Sequence, residues 1–165
     1  MGIKNKMILQ SGIKIEGRIQ FIFENVETGI VRISKWYKNL ITTAGVIAIA
    51  RRLINEAALA NEGIITYGAT GTGVSTPAIG DTTLDTELAR KILSTTSRSS
   101  NVITLRTFFT TAESVGTLTE FGLFGEAATG AADSGTLFEH ATISEVKSNA
   151  ETLTVEVQIT ISTAG

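Results

Sequence analysis

Apolar and polar residues alternate with a period of two at both ends of the chain. Over residues 13–23 the odd positions are Ile13, Ile15, Gly17, Ile19, Phe21 and Phe23, and the even ones are Lys14, Glu16, Arg18, Gln20 and Ile22. Residues 153–162 repeat the pattern, with Leu153, Val155, Val157, Ile159 and Ile161 set against Thr154, Glu156, Gln158, Thr160 and Ser162. Successive side chains of a strand point to opposite faces, so each run predicts a strand with one buried and one wet face. Residues 25–29 (NVETG) predict a turn, with Gly29 able to take a positive φ. Residues 30–37 then predict a return strand that completes a hairpin. Further strands are expected at residues 91–99 and 102–110 around Ser100-Asn101, at 117–124, and over a shorter span at 136–143. The small-residue stretches 126–135 and 148–151 read as loops.

One segment changes period. Val46, Ile49, Ala50 and Leu53 fall at i, i+3, i+4 and i+7, the spacing of one helix face. Thr42 or Thr43 can cap its start, and Arg51 and Arg52 suit the negative end of its dipole. That arginine pair is either an anion or partner site or a solvated last turn. Together these patterns predict a mainly β chain: an antiparallel β-sandwich or barrel with one packed α-helix near residues 43–56. An N-terminal arm, residues 1–12, precedes a single β-rich domain, residues 13–165.

The stretch from Ile64 to Arg90 reads as a Gly/Thr/Ser-rich connection rather than as a strand. Gly68 and Gly73 have the spacing of a phosphate-binding loop, but Val74 stands where that loop needs its lysine. Without the cation the loop keeps its flexibility and loses the chemistry. Asp81, Asp85 and Glu87 lack the spacing of a calcium loop. Asp81 before Thr82-Thr83-Leu84 reads instead as a helix N-cap with acids in the first turn.

Composition narrows the function further. The 165 residues are 42% hydrophobic and only 18% charged, with a net charge of −2. Charge content below the roughly 25% of an average soluble chain suggests a surface partly covered by neighbours. Near-neutral balance argues against nucleic-acid binding, which needs a clustered positive field. No cysteine is present and His140 is the sole histidine, which excludes disulfides, thiol metal sites and a multi-histidine site within one chain. No apolar run approaches the 18 residues of a membrane span, and residues 1–12 lack the apolar core of a signal peptide, so synthesis in the cytoplasm is expected.

Catalytic constellations find little support. There is no GxSxG elbow, and His140, at the end of its expected strand, reads as a surface or subunit-contact residue. Glu120 lies between Leu118 and Gly122 on an apolar strand, where a carboxylate needs a partner; Arg90 or Arg106 could supply it. Trp36 and Phe121 read as core or interface anchors.

Asn39-Leu40-Ile41-Thr42 with Gly45 and the Ala-rich helix resembles the opening of small tailed-bacteriophage virion proteins. Tyr67-Gly68, Gly71, Gly73, Pro77, Asp81-Thr82, Leu84, Glu87 and Arg90 are similar, in order and spacing, to a second block of that family. Glu120-Phe121-Gly122-Leu123-Phe124-Gly125 is similar to its late strand motif, and related motifs occur in the attachment regions of phage tail fibres. The resemblance spans residues 36–163. It implies a non-enzymatic structural component of a tailed phage virion, a tail, baseplate or fibre-base subunit without cofactor or metal. Such a subunit works by self-association, most often threefold, and by docking to neighbouring virion proteins. The chain shows no long shaft and no receptor-binding tip, which leaves a capsid decoration protein as an alternative reading. A host-surface carbohydrate-binding module is another. The expected contact residues are Lys4 and Lys6 in the arm, Gly71 and Gly73 in the central loop, Trp36 and Phe121 as anchors, and an Arg90–Glu120 polar lock.

Overall fold

The two alternating runs become the two longest strands of the computed structural model, which describes residues 12–56 and 61–164. Strand β1 (Gly12–Asn25) pairs antiparallel with β10 (Glu151–Ala164) from end to end, so that Ile19, Phe21 and Phe23 face Val157, Val155 and Leu153 across the ladder. All six are buried, each contributing about 1.5–3 kcal/mol to the core. Between these strands lie β2 (Val31–Ile33), β3 (Tyr37–Lys38), β4 (Leu40–Ile41), helix α1 (Thr43–Ile54), β5 (Ile65–Gly71), β6 (Glu87–Ser99), β7 (Val102–Phe109), β8 (Gly116–Gly125) and β9 (Thr136–Lys147). With 57% of residues in strands and 8% in helix, the chain is mainly β with one helix.

The strands form one antiparallel sheet in the order β2-β1-β10-β7-β6-β5-β8-β9-β4, with β3 also on β1. Register shifts in β5–β6, β5–β8, β6–β7 and β8–β9 kink the sheet, and it curls into a half-barrel. Its two long borders, β1 and β9, are bridged by the short segment that carries β3 and β4. Tyr37 and Lys38 pair with Ile19 and Arg18 of β1, and Leu40 and Ile41 pair with His140 and Glu139 of β9. The interior is filled from all sides, and Phe21 meets Tyr37 and Phe121 edge-on at 5.9 and 6.0 Å.

Four sequence expectations need correction here. The return strand over residues 30–37 shrinks to three residues of β2 and two of β3, and Val31 and Ile33 are exposed. The segment after Ile64 begins with a true strand, β5, seated between β6 and β8. The helix buries Gly45 and Ala48 against β9, with Ile49 half-buried beside them; Val46 and Leu53 of the expected face point outward, Leu53 being 80% exposed. Thr42 caps it as expected, its hydroxyl accepting from the Gly45 amide at 2.9 Å. Finally, Asp81 caps no helix, since α1 is the only one among the described residues.

Candidate functional site

Strand β8 buries both faces. Phe121 and Leu123 point into the barrel, while Glu120, Gly122 and Phe124 point outward beneath two loops, residues 72–86 and 126–135. Glu120 holds the first loop. Its Oε1 accepts the amides of Gly73 and Thr86, both at 2.8 Å, and its Oε2 accepts the amide of Asp85 at 3.0 Å. Oε2 also faces His140 Nε2 at 3.2 Å, while His140 Nδ1 meets Asp81 Oδ2 at 2.8 Å. Asp81 Oδ2 in turn accepts the amide of Ala78 at 2.8 Å. One carboxylate thus anchors both ends of the loop, and the histidine extends the anchor to its middle. Hydrogen bonds to a charged acceptor contribute about 1.5–3 kcal/mol each. Gly71 and Gly73 are required by this closeness, because a Cβ on either would collide with the Glu120 carboxylate.

Further bonds finish the loop. Thr72 donates to the Thr86 carbonyl at 2.9 Å, and the Thr43 amide at the head of α1 donates to Ile79 at 2.7 Å. The Ser75 hydroxyl and amide beside Asp85 hold its carboxyl below the usual carboxylate range. Leu84 drops from the loop onto Ala69, Phe124 and Leu137, a small apolar cluster outside the sheet. What remains exposed is the tip, with Val74 83% and Ile79 63% accessible.

The second loop is held by Arg90. Its guanidinium forks onto Glu87 at 2.7 and 2.8 Å, lies 3.9 Å from the Phe124 ring centroid, and donates to the Ser134 carbonyl at 2.7 Å. Glu87 accepts the Asp133 amide at 3.2 Å. At the loop's base, buried Glu126 takes Arg51 at 3.1 Å, so that arginine is no solvated helix end.

The expected Arg90–Glu120 lock is therefore not formed: Arg90 is spent on Glu87, and Glu120 on amides and His140. Arg106 does not replace it, being paired with Glu156 across the β7–β10 ladder. His140, expected at a surface, is buried between two carboxylates. Phe121 lies wholly within the core and cannot be a surface anchor. Gly71 and Gly73 do sit at the loop, though as its buried footing rather than its face. Lys4 and Lys6 lie outside the described residues.

Trp36 stands elsewhere, half-buried at the bridge between β1 and β9, with the Arg18 guanidinium 4.4 Å from its ring centroid. It borders a groove of about 770 Å³ together with Ile15, Gly17, Asn39, Ile41 and Gln158. Behind the groove, Asn39 crosses directly over Gly17 and donates to Glu139, a fully buried carboxylate on the barrel side of β9. Burial pushes the Glu139 carboxyl up to about 8, against the opposing pull of Asn39. Glu139 Oε1 and Asn39 Oδ1 have no hydrogen-bond partner. Sequence reasoning missed Glu139 and read His140 as a surface or subunit-contact residue. Their signal was the run Leu137-Phe138-Glu139-His140-Ala141, where charge interrupts an apolar stretch without alternation, as in a strand covered on both faces.

Chemically the roofed face is a clamp. Both His140 nitrogens face carboxylates, no described hydroxyl bonds to the ring, and no group of three metal-ligating side chains occurs among the described residues. Fold and site together define a mainly β scaffold that holds two loops rigidly on one outer face. No family model matches the chain, and neither does any curated protein or solved structure.

Proposed function

We propose that the chain is a non-enzymatic structural component of a tailed phage virion, a tail, baseplate or fibre-base subunit that self-associates and docks on neighbouring virion proteins. One observation carries this reading: the residues of the phage-like blocks converge on the clamp. Gly71, Gly73, Asp81 and Glu120 fix the first loop, Leu84 and Phe124 pack beneath it, and Glu87 and Arg90 fix the second. Every oxygen of Glu120 is engaged by the backbone or His140, which suits presentation of a shape better than turnover of a substrate. The exposed tip, with Val74 and Ile79 on a pinned backbone, offers a preorganised apolar contact that loses little entropy on docking.

The test is electron microscopy of phage particles labelled with an antibody against the chain, alongside mass spectrometry of the same particles. Label at the tail or baseplate supports the reading, and label spread over the head replaces it with the decoration role. A chain missing from the particles would refute both.

A further inference from the structure

Helix α1 is apolar on both sides. Gly45 and Ala48 are buried against β9, yet the opposite side presents Val46, Ile47, Ala50, Leu53 and Ile54, all exposed. The four larger residues are 46–80% accessible. Neither charged residue of the helix lies among them. Arg51 turns aside to Glu126 and Glu56, and Arg52 falls about 200° round the helix from Ala50. Further along the chain, Gly63 packs against Ala48 and Arg52, on the side away from Ala50. A helix that is apolar all round is one that ends up covered.

We propose that this face docks against the same face of a second copy of this chain, the two helices crossing antiparallel about a twofold axis at Ala50; the inference rests on the self-association reading above. The spacing on the face is symmetric. Large residues stand three and four positions to either side of Ala50. A twofold axis there sets Val46 and Ile47 of one copy against Ile54 and Leu53 of the other. Ala50 meets its counterpart at the centre, where two lone methyls let the helix axes approach to about 8 Å. Antiparallel dipoles attract, and the arginine pairs of the two copies fall at opposite ends of the contact, so like charges stay apart. From their exposed fractions, the five residues offer about 500 Å² per copy and about 1,000 Å² per pair, the threshold of a specific interface. A contact of that size forms and dissociates reversibly, and it is twofold where the resemblance implies threefold.

The chain lacks cysteine, so a single introduced thiol reports the contact directly. Ala50→Cys puts that thiol on the axis, and Ser97→Cys puts it on the exposed part of β6 as a control for random collision. Both full-length variants are mildly oxidised, and the natural chain and Ala50→Glu are sedimented from micromolar to millimolar concentration. The natural chain should show a reversible two-copy species, and Ala50→Glu, with like charges meeting on the axis, the mass of one copy. Linked pairs of Ala50→Cys should exceed those of Ser97→Cys about tenfold, because only sulfurs held face to face satisfy disulfide geometry. Equal crosslinking of the two cysteine variants overturns the inference, and so does an Ala50→Glu chain that keeps the natural mass. Either result leaves self-association standing. The cysteine variants add one atom at an exposed site, so the crosslink decides the matter even if Ala50→Glu fails to fold. A natural chain of single mass at every concentration overturns both the inference and the self-association reading, and leaves the face to a different protein.

Discussion

Two buried carboxylates on neighbouring strands, Glu120 and Glu139, are treated in opposite ways. Glu120, on the outer face of β8, is surrounded by three backbone amides and an imidazole. Glu139, on the inner face of β9, has the Asn39 amide and an orphaned second oxygen. A buried charge is tolerable where every lone pair has a donor and costly where it has not. The first carboxylate is therefore a fully bonded anchor that organises a loop. The second is a weak point at the bridge that closes the sheet, and its proton decides how well that bridge is held.

The sharpest way to break this contrast is to remove the satisfied carboxylate. Glu120→Ala strands three amides and His140 under the roof, and should lower stability by about 3–5 kcal/mol in urea unfolding. A loss under 1 kcal/mol would mean that the loop does not need its anchor. Next in size is Gly73→Ala, which pushes a methyl into Glu120 and Asp85 while leaving the charge intact. Overpacking of this kind costs about 1–3 kcal/mol. Proteolysis in the 72–86 loop should accelerate in parallel, and an unchanged cleavage rate would dissociate the glycine from the clamp.

Glu139 makes a prediction of the opposite sign. Its folded pKa of about 8 lies above the ordinary value of 4.5, so the folded state holds the extra proton between those limits. Its contribution is complete below pH 4.5, declines as pH rises towards 8, and is flat beyond. Glu139→Gln removes the ionisation and adds a donor suited to the orphaned Asn39 oxygen. The variant should gain on the natural chain by about 3–5 kcal/mol as pH rises from 4.5 to 9, with no further gain beyond. Melting curves at both pH values check it, and a difference independent of pH would show that Glu139 does not titrate in this range.

What the sequence revealed follows from which faces are wet. β1 and β10 were legible because water on one side enforces alternation. β5 was not: Gly68, Ala69, Thr70 and Gly71 are buried on both sides, and their small side chains leave no period to read. The helix was placed correctly but turned wrongly, because it approaches β9 through Gly45 and Ala48, and small contacts carry no hydrophobic signal. The site was half legible. A carboxylate on an apolar strand demanded a partner, and Glu120 has several, but a search among side chains overlooks backbone amides. It also passed over Glu87, three residues from Arg90, as the simpler ionic partner.

That oversight supplies the smallest and most selective prediction. Arg90 and Arg106 were both candidates in sequence, with Arg90 preferred, and the structure separates them by environment. Arg90 is buried, forked on Glu87 and stacked on Phe124, whereas the Arg106 side chain is 47% exposed while it reaches Glu156 at 2.6 Å. Glu156 is itself buried, but Gln158 also donates to it at 2.9 Å, and screening by water and the entropy of the open arginine leave this pair about 1 kcal/mol. Arg106→Ala should therefore shift the urea midpoint barely, and 0.5 M salt should erase what shift there is. Arg90→Ala leaves Glu87 buried and uncompensated and should resist rescue by salt. Equal losses from the two substitutions would place Arg106 in the folded state's essential polar framework and undo the distinction between clamp and surface.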